Sequence, residues 1–328
     1  MSNYISDQAI KRISVVGAGL MGHGIAQEFA LAGYRVTMHA RTQASLTRAE
    51  ENIQANLARL IALGALTEDR ARPVLSHIRA ELDLKGAVED ADLVIESVFE
   101  EGELKRYIFE QLDLLCPPHT ILASNTSTLM PSQFMHTVQR VDKVLVAHYA
   151  NPPYLIPIVE IVRGPATSDE TLDTLSGLLT SVGKRPVVVQ KEVPGFILNR
   201  LQGALLREAL YMVQNGIASP QDIDTAMKNS IGRRWAVAGI FEVFELAGWD
   251  LISAAMQGLY PHLTTSQKIP PVLSAKVVQD ELGVKTGKGF YDWTPESADA
   301  LRQRIAHALV ETEKWTQQAG QQDRAKPH

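Results

Sequence analysis

Apolar residues in the first two thirds of the chain fall in short runs, separated by stretches with helical patterning. Strand-like runs centre near Ile13, Val36, Ile78, Leu93, Ile121, Leu145, Ile158 and Val187. Their alternation with helical segments predicts an α/β architecture with a doubly wound, mostly parallel sheet. From Ala44 to Leu63 the apolar residues Leu46, Ile53, Leu57, Leu60 and Ile61 keep the spacing of one helix face. Beyond Pro194 the strand signals largely vanish, and apolar residues recur at helical spacing through Leu201, Leu205 and Leu206, then Ile223 and Met227, then Phe241 and Phe244. A first domain over 1–193 and a smaller all-α domain over 194–328 follow, and the polar end from Gln321 to His328 is expected to fray.

The earliest chemical signal is Gly17-Ala18-Gly19-Leu20-Met21-Gly22, placed after the β-rich run Arg12 to Val16 and before a helical pattern through Ile25, Phe29 and Ala30. That is the strand-turn-helix context of a Rossmann-type dinucleotide site. Gly17 permits the tight turn, Gly19 lets backbone approach a pyrophosphate, and Gly22 lets helix and strand pack closely. Leu20 and Met21 lie within the same turn and are expected beside the cofactor.

Two further strands end in polar groups. Ser124-Asn125-Thr126-Ser127-Thr128 follows Ile121-Leu122-Ala123, at the strand end where open α/β sheets bind ligands. The run Val144 to Ala147 delivers His148 to the mouth of the turn Asn151-Pro152-Pro153, and Glu160 stands in a later strand that otherwise reads as buried. An imidazole near neutrality suits removal of a hydroxyl proton as hydride leaves carbon. A carboxylate on its other nitrogen fixes the tautomer and stabilises the imidazolium. His148 as a satisfied core histidine is the plainer alternative. Past a Pro194-Gly195 break, Asn199 falls in the opening turns of a long helix.

Together with Lys285-Thr286-Gly287-Lys288-Gly289-Phe290-Tyr291-Asp292, these motifs resemble the 3-hydroxyacyl-CoA dehydrogenase family over nearly the whole chain. The resemblance implies a histidine and glutamate dyad at His148 and Glu160, substrate-oxygen contacts at Ser127 and Asn199, and a further polar substrate contact at Asn151. It implies cofactor contacts at Glu100 and Lys105, with Asn125 beside them. It also implies a homodimer through the helical domain and an active site in the cleft between domains.

Two departures qualify it. After the second strand an NAD-binding fold usually has an acidic residue for the ribose 2′-hydroxyl, whereas this chain has Ala40 and Arg41, so NADP rivals NAD. Positions that carry lysines and a serine in acyl-CoA members are here Glu51, Asn56 and Leu63, although Arg48 and Arg59 lie on the same helix. The stretch Asn151 to Glu160 is similar to the branch containing L-gulonate 3-dehydrogenase (lambda-crystallin) and L-carnitine dehydrogenase, which act on free 3-hydroxy acids. Arg233 and Arg234 resemble an arginine of that branch, and Arg234 is a candidate partner for a substrate carboxylate. Three readings stand: a dehydrogenase of a free polar 3-hydroxy acid, placed first; a short-chain 3-hydroxyacyl-CoA dehydrogenase; and a non-catalytic, crystallin-like dinucleotide-binding protein.

Composition narrows little else. A hydrophobic fraction of 45% is ordinary for a globular chain. One cysteine, Cys116, excludes an internal disulfide and suggests a reducing compartment. Met1 to Gln8 lacks a basic region followed by an apolar core, and no apolar run approaches membrane-spanning length, which reads as cytoplasmic. A formal charge of -5 without a basic stripe gives no general attraction to nucleic acid, and no zinc-like spacing predicts a metal.

Overall fold

The computed structural model describes residues 10–324, with side chains to 316. The expectation for Met1 to Gln8 lies outside the described residues, as does the end of the chain from 325 on. The chain divides into two compact units, to Arg200 and from Leu201.

In the first unit the elements are β1 Arg12–Val16, α1 Gly22–Leu31, β2 Arg35–His39, α2 Gln43–Ala62, α3 Glu68–Ala71, β3 Ile78–Glu81, α4 Leu84–Val88, β4 Leu93–Glu96, α5 Gly102–Leu115, β5 Ile121–Ser124, β6 Val144–Tyr149, β7 Ile158–Arg163, α6 Asp169–Ser181 and β8 Arg185–Val189. The strands form one sheet in the order β3-β2-β1-β4-β5-β6-β7-β8. Every neighbouring pair is parallel except β6 and β7. The order reverses at β1, which pairs β2 on one side and β4 on the other, so a crevice opens at the carboxyl ends of β1 and β4.

Alternation along each strand fills both faces. Ile13, Val15, Leu145, Ala147 and Tyr149 pack with Ile25 and Phe29 of α1, Ile53 and Leu57 of α2, and Leu172 and Leu175 of α6. Val16, Val94, Leu122, Val144, Val146 and Val162 pack on the other face with Phe109, Leu112 and Phe134. A sheet covered on both sides explains why its strands read as near-continuous apolar runs.

Glycine is required where β1 turns into α1. Gly17 has φ 111, and a Cβ there would lie 2.3 Å from the Ser97 carbonyl oxygen. A Cβ on Gly22 would lie 1.8 Å from the Gly17 carbonyl oxygen. Only these residues let the helix start so close to the strand.

The second unit is helical: it begins inside α7 Leu198–Gln214 and continues with α8 Pro220–Ala226, a π-helical turn Met227–Ile231, α9 Gly232–Trp235, α10 Ile240–Glu245, α11 Trp249–Leu259, α12 Pro271–Val278 and α13 Pro295–Arg324. α13 runs to Arg324, into the polar segment from Gln321 to His328. Lys285 to Gly289 closes as a turn, with Gly283 N–H donating to the Lys288 carbonyl at 2.7 Å and Gly289 N–H to that of Tyr291 at 2.8 Å. Among the described residues no helix is long and apolar enough to cross a membrane.

Candidate functional site

The site is assembled from the carboxyl ends of parallel strands. Because β6 is parallel to β5 while β7 runs back against it, the end of β6 and the start of β7 share an edge with the Gly17 turn. His148 and Glu160 are register partners in the β6–β7 pair. Directly opposed residues project from the same face, so the two side chains meet by strand pairing alone. His148 Nδ1 lies 2.7 Å from Glu160 Oε2.

The other carboxylate oxygen is held from elsewhere. Glu160 Oε1 accepts from the backbone N–H groups of Ile197 at 2.7 Å and Leu198 at 3.0 Å, at the start of α7. A helix N-terminus presents unpaired amides and partial positive charge, which favours the ionised carboxylate. Glu160 is 1% exposed. Burial pushes its pKa up, but the hydrogen bonds from His148, Leu198 and Ile197 and the charge of the imidazole prevail, and the pKa lies below the ordinary value. Donation from Nδ1 to this anion makes Nε2 the basic nitrogen of His148. Phe196, at φ 48 beside Gly195 at φ 79, sets its ring 5.7 Å from the imidazole.

The substrate-oxygen candidates also come together. Asn199 Nδ2 donates to the Ser127 carbonyl at 2.9 Å. These anchors on Glu160 and Ser127 draw the opening turn of α7 onto the sheet, so the first unit extends past Pro194 to Arg200. Ser127 is exposed, and so is Asn151 in the loop after β6.

The loop bearing Ser127 is organised by two acids, Glu100, which was expected at the cofactor, and Glu96, which was not singled out. Glu100 Oε1 accepts from the N–H groups of Ser127 at 3.0 Å and Thr128 at 3.1 Å and from the hydroxyls of Thr126 and Thr128. Burial raises the Glu100 pKa, but Thr126, Lys105 and Thr128 outweigh it and leave it lowered. Lys105 turns inward at 1% exposure and donates to both oxygens of Glu96, at 2.7 and 2.9 Å, with Glu100 Oε2 at 3.4 Å. Glu96 also accepts from Ser124 Oγ at 2.6 Å and from Val98 N–H at 2.7 Å. Its signal in the sequence was an acid closing the apolar run Leu93-Val94-Ile95. Asn125 is a buried strut, its Oδ1 accepting from Tyr149 N–H at 2.9 Å and its Nδ2 donating to Ser97 Oγ at 3.3 Å.

The residues around the Gly17 turn fit a dinucleotide. A Cβ built on Gly19 meets nothing within 4 Å, so its backbone faces open space at the start of α1, and Leu20 beside it is exposed. At the end of β2, Ala40 is buried and Arg41 is exposed, directly before the N-cap residue Thr42. The nearby Glu81 spends one carboxylate oxygen on the N–H groups of Leu82 and Asp83, and Asp83 caps Gly86. In the second unit, Arg233 and Arg234 are exposed on α9. Among the described residues no cluster of three or more His, Cys, Asp or Glu is placed to hold a metal ion.

Residues 12–193 match the family described as "3-hydroxyacyl-CoA dehydrogenase, NAD binding domain", and residues 195–293 match "3-hydroxyacyl-CoA dehydrogenase, C-terminal domain". A probable 3-hydroxybutyryl-CoA dehydrogenase of Bacillus subtilis is 37% identical over 88% of this chain and 99% of its own. The human lambda-crystallin homolog is 38% identical over 82% of this chain and 86% of its own. The solved structure of a 5-formyl-3-hydroxy-2-methylpyridine 4-carboxylic acid 5-dehydrogenase, described as an NAD+ dependent dismutase, superposes with a TM-score of 0.86 at 33% identity, covering 93% of this chain and 98% of that one. With both domains matched in order, the chain belongs to the 3-hydroxyacyl-CoA dehydrogenase family, whose members are oxidoreductases acting on CH–OH groups with a nicotinamide cofactor.

Proposed function

We propose that this enzyme moves hydride between a nicotinamide dinucleotide and the 3-hydroxy or 3-oxo carbon of a free, polar 3-hydroxy acid. The observation that carries the chemistry is the His148–Glu160 pair with its second oxygen held by Ile197 and Leu198. In oxidation, His148 Nε2 takes the hydroxyl proton while Glu160 stabilises the imidazolium without itself taking the proton. Ser127 and Asn199 hold the substrate oxygen and set its carbon for transfer. The bound nicotinamide supplies the hydride acceptor. Gly17, Gly19, Leu20, Met21 and Gly22 cradle the pyrophosphate end. NAD is used and NADP is accepted beside it, since Ala40 brings no carboxylate against a 2′-phosphate and Arg41 stands next to it.

The preference for a free acid rests on α2. Where acyl-CoA members carry lysines and a serine, the chain has Glu51, Asn56 and Leu63, and Asn56 Nδ2 is taken by Gln27 Oε1 at 3.1 Å. Asn151 and Arg234 are assigned to the polar end of the acid. A short-chain 3-hydroxyacyl-CoA is the second reading, favoured by the Bacillus relative and by Arg48 and Arg59, both exposed on α2. We also place the enzyme in the cytoplasm as a homodimer through the helical unit. Phe241 at 72% and Leu246 at 89% exposure give that unit an apolar surface that a second copy would cover.

The test is nicotinamide absorbance with acetoacetyl-CoA and with free acetoacetate, dehydrocarnitine and 3-oxo sugar acids, using NADH and NADPH in parallel. Turnover of a free acid above the thioester is expected. Turnover of the thioester alone would replace the first reading by the second, and dinucleotide binding with no turnover on any substrate would favour the crystallin-like reading.

A further inference from the structure

Besides the dyad and the Lys105–Glu96 pair, the first unit holds a further buried ion pair that the chemistry above does not use, Lys184 with Glu28. Lys184 follows Gly183, whose φ of 88 ends α6 and turns the chain into β8. Its ammonium is nearly enclosed and has three partners, matching its three donors. It donates to the Pro153 carbonyl at 2.5 Å, to the Ile156 carbonyl at 3.0 Å and to Glu28 Oε1, and it lies 5.9 Å from the centre of the Tyr149 ring. Glu28 belongs to α1, the helix that begins at the dinucleotide turn, and its carboxyl oxygen is the side-chain partner of the buried ammonium.

The two carbonyls sit in the loop that joins His148 to Glu160. Pro152, Pro153 and Pro157 contribute no N–H there, so the turn is rich in acceptors and poor in donors. The same loop touches α1 directly, because a Cβ on Gly24 would fall 2.6 Å from Pro153 Cγ. One ammonium therefore ties together the cofactor helix, the turn out of α6 and the loop that bears Asn151.

We propose that Lys184, anchored on Glu28, is a positioning residue that fixes the Asn151–Pro157 loop against α1 and so holds substrate in register with the cofactor. The kinetic part rests on the dehydrogenase reading, and the loop-fixing part does not. Misplacing a substrate-holding loop by about an ångström costs up to about a hundredfold in rate.

The experiment compares wild type with Lys184→Met and Glu28→Gln, by hydrogen exchange at Tyr154, Leu155 and Ile156 and by steady-state kinetics scaled to the concentration of dinucleotide-binding sites. For Lys184→Met the expected result is exchange at those amides faster by about tenfold and a substrate KM raised by about tenfold, with dinucleotide Kd changed less than about twofold. Glu28→Gln keeps an acceptor for the ammonium, so its effects run in the same direction and are smaller. Unchanged exchange in both variants would overturn the proposal. So would a loss of activity that merely follows the fraction of folded sites at constant KM. A wild type inactive on every substrate would overturn the dehydrogenase reading instead, leaving the exchange result to decide the role of Lys184.

Discussion

His148 and Glu160 face each other across an antiparallel strand pair, with Nδ1 and Oε2 2.7 Å apart. Their alignment is thus set by the backbone ladder. Replacing Glu160 by Gln keeps the shape but offers the imidazole an amide, which can donate to Nδ1 and force the proton onto Nε2. With the wrong tautomer, kcat is expected to fall by about 10²–10⁴-fold. Steady-state kinetics beside a thermal melt checks this, and a kcat within about twofold of wild type would contradict the assigned role.

Cofactor choice turns on one position. Ala40→Asp restores the carboxylate that the end of β2 lacks, adding a hydrogen bond to a ribose 2′-hydroxyl and repulsion toward a 2′-phosphate. A charged hydrogen bond contributes about 1.5–3 kcal/mol, so the ratio of kcat/KM with NADH to that with NADPH should rise about tenfold or more. An unchanged ratio would show that the adenosine ribose does not lie at Ala40.

Lys105 is predicted to matter for folding. Its ammonium and the Glu96 carboxylate are both enclosed, so Lys105→Met leaves an uncompensated buried charge. The expected loss is about 3–5 kcal/mol in urea unfolding, partly recovered when Glu96→Gln is added. A loss below about 1 kcal/mol, with impaired dinucleotide binding, would instead assign Lys105 directly to the cofactor.

Glu28 gives a pH signature. Burial pushes its pKa from the ordinary 4.5 up to about 7, although Lys184 pulls the other way. Between those values the folded chain holds a proton that the unfolded chain has released. The contribution to stability is therefore complete at low pH and declines as pH rises toward 7, by roughly 3 kcal/mol in all. Glu28→Gln should remove that slope from the difference between unfolding free energies at pH 5 and pH 7.5. A variant with the same slope as wild type would refute it.

Much of this was legible in the sequence because apolar runs between turn residues mark strands. All eight expected strands, from the one at Ile13 to the one at Val187, are present. The glycine turn was readable because Gly17 and Gly22 answer steric demands that no other residue meets. The reversal of β7 was not readable in detail, since it depends on how the proline-rich loop folds back. Nor were the anchors of Glu160, because the amides of Ile197 and Leu198 are backbone donors that carry no residue identity. Nothing in the linear chain marked Lys105, expected at the cofactor, or Lys184 as buried, and the fold shows each enclosed beside a carboxyl group.

The most direct test of the dyad chemistry is His148→Gln, compared with wild type on the best substrate of the panel, with dinucleotide affinity measured by fluorescence on the same preparations. Loss of the base should lower kcat by about 10²–10⁴-fold while the dinucleotide Kd stays within about twofold. Undiminished turnover with an intact dinucleotide site would contradict the account, because hydride transfer would then proceed without His148.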